Sequence, residues 1–241
     1  MSAIELNKPR VIVFDHRKRS YQLTIKVISD KEWLRYFEGI ESTSENQEGQ
    51  QVNFFDSSAA RVALLERNLI GAAGYPEGVT DTQNWQQLLP MSHRLSASNA
   101  LVQVGKSADA EDDEVFSLGF ENVFLDAVWT ANDAGDGMIK FHKLRHQFRT
   151  PTAEHQRRFS RDAGRSRIVG GSRTGKTQWL GGQPTLIKLY DELIENVDGY
   201  SVDGASLLGA PKDKIVLHMD AYHKVAAANE LFSPAAPLTE E

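Results

Sequence analysis

The chain has no cysteine in its 241 residues. That excludes disulfides and thiolate metal sites, and it fits a reducing compartment. No run of about 18 apolar residues occurs, so nothing reads as a membrane-spanning helix. The opening "MSAIELNKPR" has no apolar signal-peptide core. There is no serine-nucleophile elbow, no H-E-x-x-H and no pair of acids at an informative spacing. The expectation is a protein that is not an enzyme and uses no cofactor or metal.

What is present is an ordinary globular composition, 40% hydrophobic and 25% charged, long enough for one large domain or two small ones. The net charge of -6 hides an asymmetry. Lys140, Lys143, Arg145, Arg149, Arg157, Arg158, Arg161, Arg165, Arg167, Arg173 and Lys176 face only Glu154 and Asp162 between 140 and 178. That segment carries +9, which leaves -15 for the rest.

Along the chain, "RVIVFD" and "YQLTIKVI" alternate as two strands around "HRKRS". Ser29 with Glu32 opens a helix as a capping box. "ESTSENQEGQQ" reads as an exposed loop, Ser57–Ala73 as a helix and Ser92–Val102 as another. After the acidic "KSADAEDDE" the order starts again: two strands within 115–148, a Thr-Pro helix start, a loop or short hairpin over 164–184, and helices over Thr185–Val197 and Asp213–Phe232.

The two halves align. Glu32, Arg35 and Phe37 match Glu154, Arg157 and Phe159 at an offset of 122. Leu64, Gly74 and Tyr75 match Leu189, Gly199 and Tyr200 at 125. His93, Ala97, Asn99 and Leu101 match His223, Ala227, Asn229 and Leu231 at 130. The expected fold is α+β, in two tandem related halves, each a β-hairpin packed on about three helices. Residues 1–105 form the first, 106–114 an acidic linker, 115–232 the second with a basic insertion, and 233–241 a flexible tail. Strand pairing between halves could join them in one continuous sheet.

Gly170–Thr177 spells G-x-x-x-x-G-K-T, the pattern of a phosphate-cradling loop. Such a loop must open a helix, yet Gly181, Gly182 and Pro184 follow closely. A nucleotide hydrolase is therefore the least favoured reading, and the loop belongs to a basic insertion. His142, His146 and His155 read as solvated histidines. "NDAGDG" reads as a hairpin turn without the ligands of a calcium loop. His93 and His223 read as packing or capping residues near helix starts. The eleven basic residues form a partner-binding patch for an acidic protein surface. The alternative is nucleic acid, with Phe141, Phe148, Phe159 and Trp179 available for stacking.

"LYDELIENVDGY…HMDAYHKVAAANELF" over Leu189–Phe232, with its counterpart over Leu64–Leu101, resembles bacteriophage tail-assembly chaperones and related prophage proteins. In those, a helix ends in a glycine-aromatic pair and an H-K-x-x-A helix follows. The resemblance implies a non-catalytic phage or prophage structural or assembly protein, either a virion component or a tail-assembly factor. It would act through contacts with other phage proteins or with itself, in the bacterial host cytoplasm or the virion. The duplication and the long strands around Val115–Phe148 depart from that family's pattern.

Overall fold

The computed structural model describes residues 3–47, 50–107, 118–129, 141–163, 166–169, 176–179 and 182–233; stretches 41–47, 50–55, 166–169 and 176–179 and residue 163 are described by their backbone alone. Strand β1 (Ile4–Glu5) precedes the hairpin β2 (Arg10–His16) and β3 (Arg19–Ile25). Helix α1 (Asp30–Glu38) leads to a second hairpin, β4 (Glu41–Gln47) and β5 (Gln50–Asp56). Then come α2 (Ser58–Asn68), β6 (Leu69–Ala73), α3 (Trp85–Leu88), α4 (Met91–Leu101) and β7 (Val104–Lys106). The second half runs through β8 (Phe120–Val128), β9 (Phe141–Arg149), α5 (Ala153–Ala163), β10 (Ser166–Val169), β11 (Lys176–Trp179), α6 (Gln183–Leu193) and β12 (Ile194–Asp198). It closes with β13 (Tyr200–Val202), β14 (Ala205–Ser206), α7 (Lys212–His218) and α8 (Ala221–Phe232). The class is α+β, as expected.

Local chemistry explains most boundaries. The first hairpin closes on Arg17 and Lys18, both at positive φ (50° and 64°), the twist a two-residue hairpin turn demands. Ser29 caps α1 by accepting the Glu32 amide on its Oγ at 3.4 Å. The capping box is half used, because the Glu32 carboxylate turns instead to Arg67 Nε at 2.6 Å. Asp220 caps α8, its Oδ1 accepting the Tyr222 amide at 2.8 Å. The single helix expected over Asp213–Phe232 is therefore two, broken at Met219–Asp220.

The helices expected over Ser57–Ala73 and Thr185–Val197 both stop early, at Asn68 and Leu193, and become strands with no loop between. In the first, buried Asn68 donates its amide to Leu64 O at 2.7 Å and ends the helix from within. The following backbone pairs with β3, and in the second case with β9. The polar stretch read as an exposed loop is also a hairpin, β4–β5. The 164–184 segment contains the antiparallel pair β10–β11, one of the two forms expected.

Several features recur between the halves. The sheet order is β2-β3-β6 in the first, and β8-β9-β12 recurs in the second, extended by β7 beside β8. Helices α2 and α6 have identical bounds at an offset of 125. Each following strand carries a one-residue bulge, at Ile70 and at Glu195, again 125 apart. Gly74 and Gly199 have φ of 86° and 88°. A Cβ at either would meet a facing carbonyl, Ser20 O at 2.5 Å or Lys143 O at 2.7 Å, so both positions require glycine.

The halves also interlock. Ile4 and Leu6 lie in the second half's core, where β1 pairs in parallel with β13. Ala221 is buried in the first half's core, with Tyr222 and Val225 packed against it. Strand β11 pairs with β4, joining the two inserted hairpins into one sheet, β10-β11-β4-β5. The described residues thus form four sheets joined at these seams, and not one continuous sheet.

Candidate functional site

Strand β9 alternates strictly. His142, Leu144, His146 and Phe148 point into the core, and Lys143, Arg145, Gln147 and Arg149 point outward. His142 and His146 are therefore buried and not solvated. His146, fully buried, touches Tyr190 Oη through Nδ1 at 3.0 Å and Tyr200 Oη through Nε2 at 2.8 Å. Tyr200 Oη in turn meets His223 Nδ1 at 2.8 Å. Burial pushes His146 down to about 3 and holds His223 well below its usual value, so both rings are neutral. The same burial raises both tyrosines. Two proton arrangements, one the reverse of the other, satisfy all three contacts with every group neutral.

The first half carries a reduced version. Tyr75 Oη meets His93 Nδ1 at 3.0 Å, in a ring cluster with Tyr21, His16 and Phe14. Leu23 and Leu65 stand where the second half has His146 and Tyr190. The recurring histidines thus do pack, by anchoring the tyrosine of each Gly-Tyr pair. Tyr200→Phe removes the partner of two buried nitrogens and is expected to cost about 2 kcal/mol. Tyr75→Phe, at a half-buried position with one partner, is expected to cost about half that. Urea unfolding of both variants measures the difference.

His155 also has a role in the fold. Its Nδ1 accepts the Thr152 amide at 3.0 Å, which leaves Nε2–H to donate to Glu192 Oε1 at 3.0 Å. Glu192 gathers Arg158 Nη1 on its Oε2 at 2.7 Å, and its backbone carbonyl accepts from Arg149 and Lys212. His155 first, and then Arg158, hold the Glu192 carboxyl below its ordinary value.

Eight of the eleven basic residues are described, on four elements. Lys143, Arg145 and Arg149 share the outer face of β9, where Asp126 stands opposite Lys143 and Asp198 opposite Arg145. Arg157, Arg158 and Arg161 lie on α5 beside Glu154, Glu192 and Asp162. Arg167 belongs to β10 and Lys176 to β11; Lys140, Arg165 and Arg173 lie outside the described residues. Of the aromatics considered for stacking, Phe148 is fully buried and Phe159 packs on Phe232. Phe141 is exposed, as is Phe120 opposite Arg149; Trp179 is described by its backbone alone. "NDAGDG" lies outside the described residues. So do most of the acidic linker and the tail beyond Ser233.

In the G-x-x-x-x-G-K-T stretch, Gly170–Gly175 lie outside the described residues, but Lys176 and Thr177 open strand β11. The helix N-terminus that would hold phosphate does not follow them. Among the described residues no group of three or more His, Asp or Glu stands within metal-binding reach.

Two features were not foreseen. Buried Arg10 donates to four carbonyls: Nε to Trp129 at 2.5 Å, Nη1 to Leu101 at 3.0 Å, and Nη2 to Ala100 at 2.7 Å and to Val128. Its burial draws it down to about 10, still a cation at neutral pH. Beside it, Asp220 Oδ2 accepts Trp33 Nε1–H at 2.9 Å. The second feature is a groove of about 440 Å³ between the halves, walled by α1, α5, α6 and α8. Neither the groove nor the small cleft beside Arg10 is lined by His146, Tyr190, Tyr200 or His223.

No family model matches the chain, and no curated protein or solved structure matches it.

Proposed function

We propose that this is a non-catalytic structural or assembly protein, of the kind bacteriophages and prophages encode, that works by binding other proteins. The observation that carries the reading is the sheet β10-β11-β4-β5. It is assembled from hairpins inserted at the same place in both halves, and its substantial packing is among its own strands. Its outer strands, β5 and β10, have no second neighbour among the described residues. β5, "QQVNFFD", has neither the lysine nor the proline that blunts an edge. Such an edge accepts a strand from another chain through main-chain hydrogen bonds. The neutral histidines fit the same reading, since packing already uses them. The matching registers and bulges support descent of the halves from one duplicated unit.

Deleting the gene from a prophage that carries it tests the proposal. Particle counts should fall by an order of magnitude or more and recover when the chain is supplied in trans. An unchanged count contradicts it.

A second reading is nucleic-acid binding on the outer face of β8 and β9. There Arg145 and Arg149 alternate along β9, with exposed Phe120 and Phe141 on the same face. Filter binding over a salt series separates the two readings, because phosphate contacts give a steep salt slope.

A further inference from the structure

Strand β5 pairs with β4 over all seven of its residues, from Glu41↔Asp56 to Gln47↔Gln50, with no register shift. Its other edge is therefore regular, and alternate residues turn an amide and a carbonyl outward along its length. The far edge of the same sheet, β10, is four residues long and has Arg167 at its second position. A short strand and a charge are both devices that keep an edge unpaired. β5 has neither, since Asp56 at its very end is its one charged residue. Inserted hairpins already meet edge to edge within one chain, where β11 pairs with β4.

We propose that β5 pairs antiparallel with β5 of a second copy of this chain, a contact that rests on the assembly role proposed above. Register carries the argument. A two-fold axis at Asn53 pairs every residue of the strand: Gln50 with Asp56 of the second copy, Gln51 with Phe55, Val52 with Phe54, and Asn53 with Asn53. Each pair joins two even or two odd positions, so outward-facing backbone meets outward-facing backbone. Both Val52 positions stand opposite Phe54 positions, a β-branched and aromatic combination favoured across strands. No like charges face each other, because Asp56 stands opposite Gln50. The contact is self-complementary, which closes the assembly at two copies. Two sheets of four strands become one of eight, which ends on the two β10 edges and offers one broad surface to other assembly proteins.

Sedimentation equilibrium of the full chain at micromolar concentration should give twice the mass of one chain, and a monomer overturns the pairing. Asn53→Lys and Asn53→Asp each set like charges opposite one another at the axis, and each should weaken the dimer about fivefold at low salt. Mixed one to one, the two variants set opposite charges there and should associate at least as tightly as the parent. A variant that dimerises as tightly as the parent, or a mixture no tighter than either variant alone, overturns the register. Because the chain has no cysteine, Asn53→Cys adds one thiol per copy. Opposed residues of an antiparallel pair have Cα atoms about 4.5–5.5 Å apart, within disulfide reach. Oxidation should link Asn53→Cys chains and leave Arg157→Cys chains, changed at a side chain 81% exposed on α5, unlinked. Equal linkage of both overturns the pairing. The assembly role is read separately: a monomeric parent sinks the pairing and leaves that role to the particle count, whereas an unchanged particle count with a dimeric parent sinks the role and leaves the pairing.

Discussion

Arg10→Met is expected to destabilise the fold by about 3–5 kcal/mol, the range for removing one partner of a buried charged network. For a chain of this length that lowers the melting temperature by on the order of 10 °C. The reason lies in the four carbonyls. Ala100 and Leu101 end helix α4; Ala100 O also accepts the Gln103 amide at 3.5 Å, and Leu101 O has no amide of its own helix to accept from. Val128 ends strand β8 in the other half, and Trp129 follows it. One planar guanidinium satisfies all of them, and its Cζ lies 4.8 Å from the Trp129 ring centroid. Methionine fills the space and leaves the Leu101, Val128 and Trp129 carbonyls without this donor. Lysine keeps a charge but not the fork, so Arg10→Lys should recover only a fraction of the loss. Arg157→Met, at a side chain 81% exposed, should stay within about 0.5 kcal/mol of the parent. Calorimetry on the four proteins decides. A melting temperature for Arg10→Met equal to that of Arg157→Met would mean that the seam does not depend on this contact.

Asp220 is expected to impose a pH dependence. Burial raises its carboxyl from 3.8 to about 6, against the lowering effect of the Tyr222 amide, Trp33 and Arg10. The folded state therefore holds this proton more tightly than the unfolded state. The stability it contributes is fully present below about pH 4 and is lost as the pH rises through about 6. A shift of that size corresponds to about 3 kcal/mol. Glu32, Glu192 and Asp56 act with the opposite sign. Their folded values are depressed, so their contributions are present at neutral pH and fade as the solution is acidified. The cleanest measure is thus the difference in unfolding free energy between the parent and Asp220→Asn. It should shift against the parent by about 3 kcal/mol from pH 4 to pH 7.5 and then stay level. A difference independent of pH would show that Asp220 is ionised throughout.

Both effects arise at contacts that no local pattern announces. The partners of Arg10 lie 90 to 119 residues away, and a lone arginine opening a strand looks like any surface cation. The hairpin β2–β3, the Ser29 cap and the α+β class were legible because hydrophobic alternation and capping chemistry act within a few residues. The alternation of His142, Leu144, His146 and Phe148 was equally present in the sequence. It would have placed both histidines inside had histidine been counted with the apolar residues. The switches from helix to strand at Leu69 and Ile194 were not legible. Helical periodicity continues through both, and only pairing with β3 and β9 draws the backbone out. Strands β4 and β5 were missed for a related reason. "ESTSENQ" has no apolar face, and it becomes a strand by pairing with β5 and with β11, more than a hundred residues on. The basic residues were counted correctly as a segment. Their placement on β9, α5, β10 and β11 follows from the alternation of elements, which a charge sum cannot see.

The account rests on the inserted sheet as the surface that meets other proteins. The direct measurement is crosslinking mass spectrometry on assembly intermediates from a host that carries the gene. One sample uses the parent chain, and the other a chain in which residues 42–55 are replaced by a short Gly-Ser turn that keeps the parent melting temperature. The expected result is crosslinks from residues 41–56 or 166–179 to another assembly protein in the first sample, and loss of the chain from the intermediates in the second. Equal recovery of both chains in the intermediates, with crosslinks elsewhere, would contradict it.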